Sequence, residues 1–171
     1  MKDVFLVYDT SCFYEIMILS YFLNFTKSEI LICSLDGQSV HTMEGFSVNV
    51  DTTLDKINMD EVRSFIVPGG NISSIDKEGV WNTLQCLKEK GVLIAGICAG
   101  VDVLEHAGIL KEIRSTHSTE EDVVNDGGVI TSRANGYVDF AIEVAKELHL
   151  FESEEDLQET VDFWKYHKRM Q

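Results

Sequence analysis

Val92-Leu93-Ile94-Ala95-Gly96-Ile97-Cys98-Ala99-Gly100 is the stretch that decides the fold. Val92 to Ile97 is an uncharged apolar run, as expected of a strand buried on both faces of a parallel sheet. Ala99 to Ala107, ended by Gly108, predicts a helix that starts directly after it. A strand feeding straight into a helix is the repeating unit of α/β folds.

Outward from this unit the same alternation continues. Val4 to Tyr8 reads as a strand, and Glu15 to Asn24 as a helix with a broad apolar face of Ile16, Leu19, Tyr21, Phe22 and Leu23. Ile30 to Leu35 is a second buried strand. His41 to Thr52 alternates loosely without a helical period and reads as a short hairpin or irregular excursion. Arg63 to Val67 is a strand stopped by Pro68-Gly69-Gly70-Asn71, which contains the only proline of the chain. Glu78 to Lys90 predicts a helix ended by Gly91. Gly128 to Ser132 predicts a strand and Gly136 to Leu148 a helix. The acidic first turn after Ser153 begins a last helix over Glu154 to Tyr166. The simplest assembly is α/β: a three-layer α/β/α sandwich on a mostly parallel, flavodoxin-like sheet, forming a single domain over residues 1–171.

Charge and cysteine usage narrow the function classes. The 171 residues carry 14 Lys and Arg against 29 Asp and Glu, a formal charge of −15, which disfavours nucleic acid and anionic membrane as partners. No stretch approaches the ~18 apolar residues of a membrane span. The opening Met1-Lys2-Asp3 and its short apolar run are too short and too acidic for a signal peptide, so the expected location is cytoplasmic. Cys12, Cys33, Cys86 and Cys98 are widely spaced, with no C-x-x-C pair and no zinc-finger grouping. Free thiols are expected, with no metal and no cofactor.

Gly96-Ile97-Cys98-Ala99-Gly100 has the G-x-nucleophile-x-G spacing of a nucleophile elbow, with cysteine in the serine position. Small residues flank Cys98 because the turn is sharp. The helix that follows aims its first N–H groups at the sulfur, which favours thiolate. Cys98 is therefore a candidate nucleophile, the alternative being a buried structural cysteine. Ligands of parallel sheets bind at the carboxyl ends of the strands. The amides of Gly69 and Gly70, with that of Ala99, are candidates for an oxyanion hole there.

Three motifs stand in order: Val67-Pro68-Gly69-Gly70-Asn71, Ala95-Gly96-Ile97-Cys98-Ala99-Gly100 and Ala107-Gly108-Ile109-Leu110. Together they resemble the ThiJ/PfpI superfamily, which is peptidase C56-like, has the class I glutamine-amidotransferase-like fold and includes the parkinsonism-associated deglycase. Val129 to Arg133 and Phe140-Ala141 resemble the last strand and helix of that family. The resemblance implies an acidic residue at the start of the first helix, bonded to the nucleophilic sulfur, and Glu15 stands there. It also implies a histidine after the elbow helix, and His117 in Thr116-His117-Ser118 occupies that place. His41, His106, His149 and His167 have no motif context, and Cys12 stands close enough to Glu15 to line the same pocket.

Ala99 departs from the proteolytic branch, where histidine follows the cysteine, and the chain has no H-x-E motif of the amidotransferase kind. What the resemblance implies is thus a hydrolase or lyase that attacks a small carbonyl, amide or glycated substrate through Cys98. The alternatives are a stress-response protein that senses oxidants through Cys98 and, weakened by Ala99, an intracellular cysteine peptidase. The resemblance also implies a homodimer acting on a small molecule.

Overall fold

The computed structural model describes residues 1–169. In chain order its elements are β1 (Lys2–Leu6), α1 (Tyr14–Phe25), β2 (Glu29–Ser34), β3 (Val40–His41), β4 (Ser47–Val48), β5 (Thr52–Thr53), β6 (Val62–Val67) and α2 (Glu78–Glu89). There follow β7 (Leu93–Ile97), α3 (Ala99–His106), β8 (Val123–Asp126), β9 (Val129–Ser132), α4 (Tyr137–Glu147) and α5 (Glu154–Trp164). Seven strands form one sheet in the order β5-β2-β1-β6-β7-β9-β8. All neighbours run parallel except β8, which is antiparallel to β9.

Strand residues alternate between two cores, which is why the central strands read as unbroken apolar runs. Val4, Leu6, Phe65, Val67 and Ile94 point to one face, covered by Val80, Leu84 and Leu87 of α2 and by Val103 and Leu104 of α3. Phe5, Val7, Ile66, Ala95 and Ile97 point to the other, covered by Ile16, Leu19 and Leu23 of α1 and by Phe140, Ala141 and Val144 of α4. This is the three-layer α/β/α sandwich expected from the sequence. Phe65 and Phe140 are fully buried, each contributing about 2–3 kcal/mol by leaving water.

The loosely alternating segment resolves into two parts. Val40 pairs with Val48 and His41 with Ser47 in a small antiparallel hairpin, and Thr52–Thr53 then joins the edge of the main sheet beside β2. The strand β8 was not expected from the sequence. It is an outer strand with only Val124 buried, so it lacks the apolar run that marks the inner strands. The last helix packs Leu157, Val161 and Trp164 onto the α1 and α4 face, with the Trp164 ring edge-on to Phe22 at 5.9 Å. Its Ser153 Oγ accepts from the Asp156 N–H at 3.2 Å, as its acidic first turn leads one to expect.

Among the described residues, no helix is long and apolar enough to cross a membrane.

Candidate active site at the strand ends

Strands β1, β6 and β7 lie side by side, so the loops leaving their carboxyl ends converge. The first loop leads into α1 and Glu15, the second is Pro68 to Asn71, and the third is Cys98 itself.

Cys98 joins β7 to α3 with φ 55° and ψ −129°, a strained conformation for a side-chain-bearing residue. The surroundings hold it there. Its N–H donates to the Ser132 carbonyl at 2.9 Å, and its carbonyl accepts from the Val101 N–H at 3.0 Å. A Cβ on Gly100 would fall 2.1 Å from the Val67 carbonyl oxygen, so α3 approaches the β6 end this closely only because that residue is glycine.

Gly69 is the spacer between the two reactive side chains. Its N–H donates to Glu15 Oε2 at 2.7 Å, and its carbonyl accepts from the Cys12 N–H at 2.9 Å. A Cβ placed on it would lie 2.7 Å from Cys98 Cβ, 3.0 Å from Cys98 Sγ and 2.8 Å from Glu15 Oε2. The structure thus brings Glu15 and Cys98 together across one backbone residue, and it commits the Gly69 amide to the carboxyl. Gly70 backs against the Thr10 carbonyl, and the Ala99 N–H at the start of α3 stands by the Cys98 sulfur and favours its thiolate.

Glu15 is only 1% exposed. Its Oε1 has no hydrogen-bond partner, a costly condition for a buried carboxylate. The Cys98 thiol and Tyr14 hydroxyl lie near enough to favour its charge, yet neither makes a well-formed bond to that oxygen. Burial outweighs these contacts and the Gly69 N–H, so the carboxyl holds its proton above the ordinary glutamate range.

Cys98 is also shifted, in a direction the elbow motif did not suggest. Burial, and then the charge of Glu15, push its thiol upward, against the lowering effect of the Ala99 N–H. The helix N-terminus acts on the sulfur as expected, but desolvation and a neighbouring carboxylate exceed it. The two groups titrate as a pair, in which ionising one resists ionising the other.

Other groups enclose the pair. The Tyr8 hydroxyl donates to the Pro68 carbonyl at 2.8 Å, and burial drives its acidity far down. Cys12 is buried, and that burial, with the charges of Glu15 and Cys98, pushes its thiol up to about 11. Tyr14, raised to about 12 by burial and by Glu15, stands edge-on to Tyr137 with ring centroids 5.6 Å apart.

His117 sits apart from this cluster. Its Nδ1 lies 2.9 Å from Glu105 Oε2 and its Nε2 3.3 Å from Asp102 Oδ1, both carboxylates belonging to α3. Asp102 is one helical turn beyond Cys98 and its charge reaches the sulfur. Among the described residues, no hydrogen bond joins His117 to Cys98 or Glu15. The other histidines lie elsewhere, with His106 Nδ1 at 2.8 Å from Asp76 Oδ2.

One neighbour of Glu15 escaped the sequence reading. Glu44, between β3 and β4, accepts the Tyr14 N–H at 2.9 Å and thereby touches the start of α1. It stands in a segment with no period and no motif, so local sequence gives no sign of it.

The profile of the DJ-1/PfpI family matches residues 1–147. The chain belongs to the DJ-1/PfpI family. Relatives within reach of sequence comparison include a deglycase of Pyrococcus horikoshii, 30% identical over 104 residues, which cover 58% of this chain and 62% of that one. Protein DJ-1alpha of Drosophila melanogaster is 27% identical over 132 residues, 66% of this chain and 61% of that protein. The match therefore spans less than two thirds of the length of these curated relatives. Among solved structures, a DJ-1 superfamily protein of Agrobacterium tumefaciens superposes with a TM-score of 0.88 at 23% identity, over 98% of this chain and 100% of that one. Oxidized DJ-1 of Toxoplasma gondii gives 0.80 at 21% identity, over 94% and 95%. These two likenesses bear on the DJ-1/PfpI fold alone.

Proposed function

We propose that this DJ-1/PfpI protein is a cysteine-dependent hydrolase or lyase of small reactive carbonyl compounds, with Cys98 as nucleophile and Glu15 as proton carrier. The observation that carries the reading is the placement of Glu15 and Cys98 on either side of Gly69, with Glu15 Oε1 lacking a partner. A protonated Glu15 is a donor with an open position beside the sulfur. The productive form of the pair is the one in which the carboxyl keeps the proton and the thiol has lost its own.

For an α-oxoaldehyde the balance is simple. The thiolate forms a carbon–sulfur bond to the aldehyde carbon, and the carbonyl π pair moves to oxygen, where the Gly70 and Ala99 amides would receive it. Glu15 delivers its proton to that oxygen, its carboxylate then carries the hydrogen of the attacked carbon to the neighbouring carbonyl unit as the adduct isomerises to a hydroxy thioester, and the proton released when hydrolysis forms the carboxylic acid reprotonates Glu15. Water then cleaves the thioester to a hydroxy acid and restores the thiol. No external oxidant or reductant enters. The deglycase name of the archaeal relatives is consistent with glyoxal-derived adducts as substrates. In this scheme His117 assists from outside the pair, through Asp102, whose charge reaches the sulfur. The reading takes the protein as a cytoplasmic homodimer.

The test is release of lactate from methylglyoxal, of free guanidine from methylglyoxal-treated N-acetylarginine and of free thiol from methylglyoxal-treated N-acetylcysteine, by the wild type and the Cys98→Ser and Glu15→Gln variants. Saturable turnover lost in both variants supports the proposal. Absence of turnover in the wild type defeats it.

A second reading is favoured by the same open oxygen. If peroxide oxidises the Cys98 thiolate to a sulfinic acid, the Glu15 carboxyl across Gly69, whose Oε1 has no other partner, would share a proton with it. Stoichiometric oxidation of Cys98 ahead of Cys12, Cys33 and Cys86, with no carbonyl turnover, selects this reading.

A further inference from the structure

We propose that Glu44 is a positioning residue for Glu15: the β3–β4 hairpin inserts a carboxylate at the start of α1, bonded to the residue before Glu15, and this disfavours a second negative charge beside it. The inference rests on the proposed Glu15–Cys98 pair and extends it to a residue outside that pair.

The hairpin is fastened to the α1 approach by main-chain bonds. The Thr10 N–H donates to the His41 carbonyl at 2.7 Å, the Met43 N–H to the Ser11 carbonyl at 3.0 Å, and the His41 N–H to Asp9 Oδ1 at 2.8 Å. The residue at the N-cap position of α1, Phe13, has no side chain able to cap. Glu44 fills that role from 30 positions away, accepting the Tyr14 N–H. Burial works against its charge, but the backbone N–H groups of Tyr14, Glu44 and Phe13 and the Thr42 hydroxyl hold its carboxyl below the ordinary range.

The consequence falls on Glu15, the next residue of α1. A carboxyl in the first turn of a helix feels the positive end of the helix dipole, which favours ionisation. Glu44 occupies one of the N–H groups that create that potential, that of Tyr14, and adds a negative charge beside it, so it works against ionisation of Glu15. The groups facing Glu15 are Tyr8 beyond β1, Cys12 in the following loop, Tyr14 on α1, Glu44 on the hairpin and Cys98 at α3. Asp102 of α3 faces Cys98. Glu44 is thus the carboxylate that bears on Glu15 from another element.

The test follows the initial rate of iodoacetamide alkylation at Cys98, read by mass spectrometry from about pH 5 to about pH 10, in the full chain. Wild type is compared with Glu44→Gln, Glu44→Ala, Glu15→Gln and the double variant Glu15→Gln/Glu44→Gln. Glutamine keeps an oxygen for the Tyr14 N–H and removes only the charge. The expected result is a rate at neutral pH lowered roughly two- to fivefold in Glu44→Gln, and no further change when that substitution is added to Glu15→Gln. A Glu44→Gln profile that coincides with wild type while Glu44→Ala is slowed overturns the inference, leaving a cap alone. So does a Glu44→Gln effect that persists without Glu15. If Glu15→Gln itself leaves the wild-type profile unmoved, the failure lies in the proposed pair.

Discussion

The Gly69 N–H donates to Glu15 Oε2 at 2.7 Å, and the space where a Gly69 side chain would stand is the space between that oxygen and the Cys98 sulfur. One backbone residue therefore sets both the orientation of the carboxyl and its distance from the thiol.

Gly69→Ala is expected to separate the pair. The added methyl would meet Cys98 Cβ at 2.7 Å, far inside contact distance, so either the elbow or the α1 start must move. The expected cost is about 1–3 kcal/mol in urea unfolding, together with loss of any influence of Glu15→Gln on Cys98 alkylation. An unchanged midpoint and an unchanged alkylation profile would show that the two groups do not depend on this spacing.

Glu15→Gln should change the pH dependence of stability. Because folding raises the carboxyl above its ordinary value of 4.5, the group stabilises the fold fully below that pH, and the contribution is lost as pH rises through the folded value. Glutamine has no such loss. The variant should therefore gain on the wild type as pH rises from below 4.5 to above neutrality, compared by urea denaturation at both ends. Parallel curves would mean that burial does not penalise the charged carboxyl.

Asp3 offers a test far from the site. It is completely buried, held by Arg63 Nε at 3.1 Å, Arg63 Nη2 at 2.5 Å and the Ser64 hydroxyl at 2.7 Å. Asp3→Ala leaves a guanidinium half-enclosed without its partner and should cost roughly 2–4 kcal/mol, seen as a lowered Tm. Cys98 alkylation, at the opposite end of the strands, should keep its wild-type profile under native conditions.

Trp164→Ala should weaken the docking of the last helix. The ring lies 5.9 Å from Phe22 and 5.6 Å from Tyr21 but stays partly exposed, so its loss should cost about 1–2 kcal/mol. Phe140→Ala, inside the core, should cost about 3–5 kcal/mol by the same thermal measurement. Equal losses would mean that α5 is as firmly integrated as α4.

The parts legible in the sequence are those whose contacts are local or two-faced. The runs Val4 to Tyr8, Arg63 to Val67 and Val92 to Ile97 are apolar on both sides because helices cover both sides. The strand β8 was illegible because Val123, Asn125 and Asp126 are only partly buried and carry no such run. At the site, Cys98 announced itself through the glycines around it, whereas Glu15 came from the family resemblance. Glu44 had no signal at all, since its place depends on main-chain bonds between Thr10 and His41 and between Ser11 and Met43. The direction of the Cys98 shift was equally hidden. A helix start can be read from letters, while desolvation depends on what packs above the sulfur.

The two margins of the sheet carry a consequence for the protein at high concentration. One margin is β5, only Thr52 and Thr53 long, and the other is β8, whose Asn125 reaches the carboxylates of Glu143 at 3.1 Å and Glu147 at 3.0 Å. A two-residue margin gives an incoming strand almost no ladder to extend, and a margin fringed with carboxylates repels another copy of this anionic chain. The sheet order that gathers Glu15, Gly69 and Cys98 at the strand ends also leaves strand sides that resist fibrillar stacking.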